Sequence, residues 1–195
     1  MKAHIGCGAS YLRPSILDDP ENGWINVDLP GDGRFYAREK SDLAWKLGTP
    51  ENDYYGKSPR RSAEDFAAPL HQEIVVDRFG SFEETNIETA SCDEVLSRQV
   101  FEHLSIREAK RALVECDRIL VNGGLLRLAV PDHDAIAAKL KSSPDDFTIR
   151  HMLGSHKDDY AAHVMSYTRD GLRRLVESLG FEFVAEEPNI HLYPA

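Results

Sequence analysis

Gly6, Cys7 and Gly8 follow directly on the short apolar run Ala3-His4-Ile5, and an acid, Asp28, ends the next β-prone run, Trp24-Ile25-Asn26-Val27-Asp28. Glycines at a strand's end let the backbone approach a ligand closely, and a carboxylate ending the next strand can accept hydrogen bonds from ribose hydroxyls. The separation of Gly8 from Asp28, about 20 residues, suits a dinucleotide or another adenosine-containing cofactor. A pyrophosphate binder wants a third glycine where the following helix starts, and Gly8-Ala9-Ser10-Tyr11 offers none. A cofactor without pyrophosphate fits better, and no Tyr and Lys pair marks a nicotinamide-dependent oxidoreductase or epimerase. Simple turn glycines, or a binding module that keeps the site without turnover, are the alternatives.

Histidine is the side chain that titrates near neutral pH without a large environmental shift, so His103, beside Glu102, and His163 are candidates for removing a proton from an acceptor. His151, His156 and His163 fit no standard zinc spacing, and no metal is expected. Cys7, Cys92 and Cys116 are odd in number and lack CxxC spacing, which points away from a disulfide framework or zinc knuckle and towards a reducing compartment. No partner base can be assigned to Cys7, so it receives no catalytic role.

These residues need strands and helices to hold them. Strand-like runs are expected at 3–5, 24–28, 73–77, 93–97 and 125–130, each followed by polar residues. The helix after Ser105 is the best marked: Ser105 and Glu108 form a capping box, and Ile106, Ala109, Leu113, Cys116 and Leu120 share one apolar face. Asn122-Gly123-Gly124 is expected to stop it. A further helix is expected at 133–140, followed by a polar loop. Thr168 caps a last helix carrying Leu172, Leu175, Val176 and Leu179, closed by Gly180, and a strand is expected at 181–185. Strands alternating with helices predict an α/β fold with a mostly parallel sheet, helices on both faces and the ligand beyond the strands' carboxyl ends. Residues 29–72, aromatic, charged and broken by Pro and Gly, read as an insertion in a single domain spanning 1–195, placed to act as a substrate cap.

The 195 residues fit one core, and 42% apolar with 29% charged residues is the composition of a globular protein. The formal charge of −10 opposes broad attachment to nucleic acid or anionic lipid, which draws on Lys and Arg. No apolar run reaches the ~20 residues of a membrane helix and the first residues lack a secretory signal's apolar stretch, so the expected location is cytoplasmic.

Ile5-Gly6-Cys7-Gly8, Gly23-Trp24-Ile25-Asn26-Val27-Asp28, the stretch 93–104 with Glu102-His103, Arg118-Ile119-Leu120-Val121-Asn122-Gly123-Gly124 and Leu126-Arg127-Leu128-Ala129-Val130-Pro131-Asp132 occur in an order that resembles the successive motifs of class I S-adenosylmethionine-dependent methyltransferases. More narrowly the chain resembles the methyltransferase-11-like group, which includes members with glycan-biosynthesis functions. The resemblance implies a Rossmann-like fold, S-adenosyl-L-methionine as cofactor and a small-molecule or glycan acceptor methylated at O or N. It implies that Ile5, Gly6, Cys7 and Gly8 line the methionine part, Asp28 the ribose and Asp77 the adenine edge, with Ser97, Arg98 and Gln99 flanking the sulfonium. His163 precedes the last helix as a histidine does in members of the group, which ranks it first as base, with His103 as a cofactor or acceptor contact. Two features depart from the pattern: His4 stands where an acid is usual, and a final antiparallel strand has its only candidate near 189–194.

Overall fold

The computed structural model describes residues 1–7, 12, 16, 19–29, 77–143, 145–154 and 162–186. They form five strands: β1 (Lys2–Ile5), β2 (Trp24–Asp28), β3 (Arg78–Phe79), β4 (Cys92–Arg98) and β5 (Leu120–Ala129). The sheet order is β3-β2-β1-β4-β5, and every pairing is parallel. The described helices are α1 (Ile106–Ile119), α2 (His133–Ser142), α3 (Asp146–Leu153) and α4 (Arg169–Glu177), with a 3₁₀ turn at Phe101–His103. This is the expected α/β, Rossmann-like arrangement. Residues 30–76, which include most of the expected insertion, and the candidate strand near 189–194 lie outside the described residues.

A parallel sheet buried between layers needs apolar residues on its inner strands, and β1, β2 and β4 supply Ala3, Ile5, Ile25, Val27 and Val95. Ala109, Ala112, Leu113, Cys116 and Ile119 of α1 join the same core. Phe82 meets Phe101 edge to face with ring centres 5.0 Å apart, joining the loop after β3 to the turn after β4. Helix α1 starts where the sequence places it: Glu108 N–H donates to Ser105 Oγ and Ser105 N–H donates to Glu108 Oε2, closing the capping box. Helix α4 is capped by Thr168, whose Oγ1 accepts from Gly171 N–H, and the turn behind it uses Gly180 at φ +94°.

Four expectations change. Asn122-Gly123-Gly124 does not end a helix in a loop; α1 stops at Ile119 and β5 begins at once, with the glycines inside it. Register jumps there from Cys92↔Leu120 to Glu94↔Leu125, and Gly123 at φ +79° gives the bulge its left-handed residue. The loop expected after α2 contains α3, started by Asp145, whose Oδ1 accepts from the backbone N–H and hydroxyl of Thr148. Residues 181–186 form no strand: none of the described strands pairs with them, Val184 is exposed, and Arg173 stacks on Phe183 instead. Finally, Asp77 precedes described β3 (Arg78–Phe79) rather than ending a described strand, and residues 73–76 of the expected strand lie outside the described residues.

Candidate active site

Because all five strands run the same way, their carboxyl ends meet along one edge, and that edge collects the candidate residues. Gly6 turns the chain off β1 at φ +69°, and its N–H and that of Cys7 both donate to Val27 O, at 2.9 and 3.2 Å. A Cβ on Gly6 would collide with the Val100 side chain beyond β4, so both the dihedral and the space require glycine. Asp28 closes β2 beside Cys7, and its Oδ1 accepts the N–H of Leu29. Burial, with the nearby charges of Asp28 and Asp77, pushes the Cys7 thiol up, which keeps it protonated and inert. Gly8 lies outside the described residues.

Asp77 is held differently from Asp28. It sits level with Asn26, before the strand end, and its Oδ2 accepts from the Asn26 backbone N–H at 2.7 Å and side-chain amide at 2.9 Å. Asn26, fully buried, also exchanges two hydrogen bonds with the backbone of Leu12. Asn26 thus ties the chain after β1 and the chain before β3 to β2, and Asp77's first task is in that junction. Phe79, level with Asp28 at the end of β3 and half exposed, presents an aromatic ring at the edge. A strand end with no glycine to mark it leaves no sequence signal.

At the end of β4, Ser97 lies level with Ile5, and its Oγ is buried without a hydrogen-bond partner among the described residues. Gln99 follows at φ +56°, a left-handed conformation that costs energy for a side-chain-bearing residue and tends to survive at functional sites. Its N–H donates to Ala129 O, fixing the turn against β5. Burial lowers the Arg98 guanidinium, and Arg98 in turn acts on His4 one strand over. Burial first, then Arg98, holds His4 down at about 4 despite a hydrogen bond with Asn26, so His4 is neutral at physiological pH.

Immediately beyond β4 stand Glu102 and His103, and the segment 162–167 closes over them because Val164 and Met165 N–H both donate to Glu102 O. That brings His163 to His103, with the rings edge to face and centres 4.9 Å apart. His103 Nδ1 lies 2.9 Å from Ala162 O, and since a carbonyl only accepts, Nδ1 carries the proton and Nε2 the lone pair. Glu102 is 1% exposed, and neither carboxylate oxygen has a hydrogen-bond partner among the described residues. Burial pushes its carboxyl up to about 8, and burial with the charge of Glu102 pushes the Tyr167 hydroxyl up to about 12. His163 is lowered to about 4 by burial and by His103 and His151, against hydrogen bonds with the backbone of Met152 and His151. The structure therefore brings the two expected catalytic histidines together and adds Glu102 and Tyr167. His156 lies outside the described residues.

Residues 55–128 match the family model described as a methyltransferase domain, a match that begins inside the segment expected as an insertion. No curated protein matches the sequence significantly. Solved structures similar to the chain include an S-adenosylmethionine-dependent methyltransferase from Thermotoga maritima, at 17% identity and TM-score 0.48, covering 93% of this chain and 64% of that one. A carbon methyltransferase, CurJ, has 13% identity and TM-score 0.46, covering 96% of this chain and 44% of that one. A protein from Pyrococcus horikoshii has 16% identity and TM-score 0.47, covering 91% and 71%. The chain thus spans less than two thirds of the length of the first two. Among the described residues no helix is long and apolar enough to cross a membrane. Residues 55–128, less than half of the chain, thus match a methyltransferase domain, and the parallel sheet that carries them is the Rossmann-like arrangement.

Proposed function

We propose that this chain transfers the methyl group of S-adenosylmethionine to an oxygen or nitrogen of a small molecule or glycan, at the carboxyl edge of the sheet. One observation carries the reading: the Gly6-Cys7 turn, Asp28 and the strained end of β4 converge on that edge, with His103 and His163 beside them. The residues present fit the cofactor. The turn admits close backbone approach, Asp28 offers a carboxylate to ribose hydroxyls, and Ser97 Oγ is a buried polar atom without a partner among the described residues.

The bound cofactor supplies an electrophilic methyl on a sulfonium. The chain's own contribution is alignment and proton handling. Ile5, Gly6, Cys7 and Gly8 would line the methionine part, and Asp28 would hold the ribose. Phe79 would offer the adenine an aromatic face, and Asp77 would lie at the adenine edge. Ser97, Arg98 and Gln99 would border the sulfonium. His163, neutral because burial lowers it, is able to accept a proton from the acceptor, and His103 contacts acceptor or cofactor. The free, buried Cys7, Cys92 and Cys116 suit a reducing cytoplasm.

Calorimetric titration tests both halves. Asp28→Ala should weaken S-adenosylmethionine roughly ten- to hundredfold, the loss of one charge-assisted hydrogen-bond acceptor. His163→Ala should leave that affinity intact while cutting transfer ~100- to 10,000-fold. Unchanged binding by the first variant would remove Asp28 from the site, and undiminished turnover by the second would remove the base.

A further inference from the structure

Glu102, His103 and His163 each offer one donor atom, and the three atoms lie within 4.8 Å of one another. Donors around a tetrahedral zinc-like ion sit about 2.0–2.2 Å from the metal, hence roughly 3.4 Å apart, so small side-chain rotations close the set. A carboxylate that is 1% exposed with neither oxygen partnered among the described residues is costly to bury, and here it is buried beside two imidazoles. His103 is already in the tautomer a metal needs, fixed by its Nδ1 contact with Ala162 O. The other ring is likewise oriented by backbone, that of Met152 and His151.

We propose that Glu102, His103 and His163 bind one divalent first-row transition-metal cation, of the zinc or manganese type, beside the methyl-transfer site. Two imidazoles and one carboxylate favour such ions over calcium or magnesium, whose ligands are oxygen, and three protein ligands keep a coordination position open. No standard zinc spacing joins His151, His156 and His163 along the chain; the trio forms because segment 162–167 folds onto the turn after β4. The role of the cation, though not its binding, rests on the methyl-transfer reading above. At the open position it takes the acceptor's hydroxyl oxygen and lowers its pKa, so the proton leaves to water. The oxygen lone pair then forms the new O–CH3 bond as the S–CH3 bond breaks, and that bond's electron pair stays on sulfur. With the cation bound the histidines act through it; without the cation His163 accepts the proton itself.

The test is titration of the chelator-stripped full chain with Zn²⁺ and with Mn²⁺, read by calorimetry and by the shift of the thermal midpoint. The wild type should take up one cation and gain thermal stability. His103→Ala and His163→Ala should each weaken it by more than the roughly 100-fold upper end seen when a metal's outer-shell partner is lost. The near-isosteric Glu102→Gln guards against variants that fail to fold and should also lose the cation. No cation bound by the wild type, or binding of equal stoichiometry and affinity in all three variants, overturns the proposal. Transfer by the stripped enzyme separates the two readings: full activity without cation alongside tight cation binding leaves the site standing and returns the proton to His163. Absence of any transfer, with the cation bound as expected, counts against the methyl-transfer reading alone.

Discussion

His4 shows how much of a residue's chemistry is invisible until its neighbours are known. In the sequence it is a polar residue in an apolar run where an acid is usual; in the structure it is 1% exposed between Asn26 and the charge of Arg98. Folding holds it at about 4 against an ordinary value of 6.5. Between those values the unfolded chain binds a proton that the folded chain refuses, so His4 makes stability fall as pH drops from about 6.5 to about 4, by up to about 3 kcal/mol. His151 and His163 act in the same direction, whereas Glu102, held protonated by burial, acts in the opposite one above its ordinary value of 4.5. The difference between wild type and His4→Gln isolates the one group. Denaturant melts in metal-free buffer at pH 7 and pH 4.5 should show the variant losing less stability on acidification; parallel losses would mean His4 is charged or solvated in the fold. At this scale the glycine turn and Asp28 were legible because strand, glycine and acid lie in a local pattern. The trio at Glu102 was not, since His163 arrives from a distant loop through two backbone hydrogen bonds to Glu102 O.

Helix α1 is where local sequence and tertiary structure agree most closely, because both its start and its buried face are written within a few residues of each other. The capping box survives intact, and Ala109, Leu113 and Cys116 of the expected apolar face are buried, whereas Ile106 is exposed and Leu120 opens β5. What the sequence does not show is that the helix also anchors the loop between β3 and β4. Glu115, buried on α1, accepts from Thr85 N–H at 2.8 Å and Thr85 Oγ1 at 2.6 Å, and from Arg118 Nε at 2.7 Å and Nη2 at 2.8 Å. Arg118 continues to Ile87 O and Thr89 Oγ1. Burial works against ionisation of Glu115, but the bonds from Arg118 and Thr85 prevail and hold it at about 2. Replacing Glu115 by Ala leaves a buried N–H and hydroxyl unpaired and removes the partner of a half-exposed arginine, which should cost about 2–4 kcal/mol. Chemical denaturation measures the loss, and amide exchange should rise across residues 83–89 first. A cost under about 0.5 kcal/mol, the range of ordinary surface substitutions, would show the network to be ornamental. The missed elements share a cause: the bulge in β5 depends on its pairing with Cys92 and Glu94, and the expected strand at 181–185 had apolar alternation but none of the described strands beside it.

At the scale of the molecule, the order of motifs along the chain was enough to give the parallel sheet and the edge where the candidate residues gather, because parallel topology sends every strand's carboxyl end to one side. The connection between β2 and β3 is the part that topology leaves open. Val27 pairs with Arg78 and Asp28 with Phe79, and a parallel crossover needs only a dozen or so residues, yet the chain runs from residue 29 to residue 77 between them. Segments this long in a compact domain are usually functional or disordered. Residues 30–54 leave from Asp28, the proposed ribose ligand, and precede the family-model match, which begins at residue 55. We infer that this stretch belongs to the acceptor cap. Replacing residues 30–54 by a short Gly/Ser linker should then keep S-adenosylmethionine affinity within about threefold, under 1 kcal/mol, because Gly6, Asp28 and Ser97 remain on their strands. Transfer to the natural acceptor should disappear, since alignment of acceptor and methyl is most of what the protein contributes. Titration and a product assay on the same sample decide it: full transfer by the shortened chain would refute the cap, and lost cofactor affinity would move the segment from the acceptor's side of the site to the cofactor's.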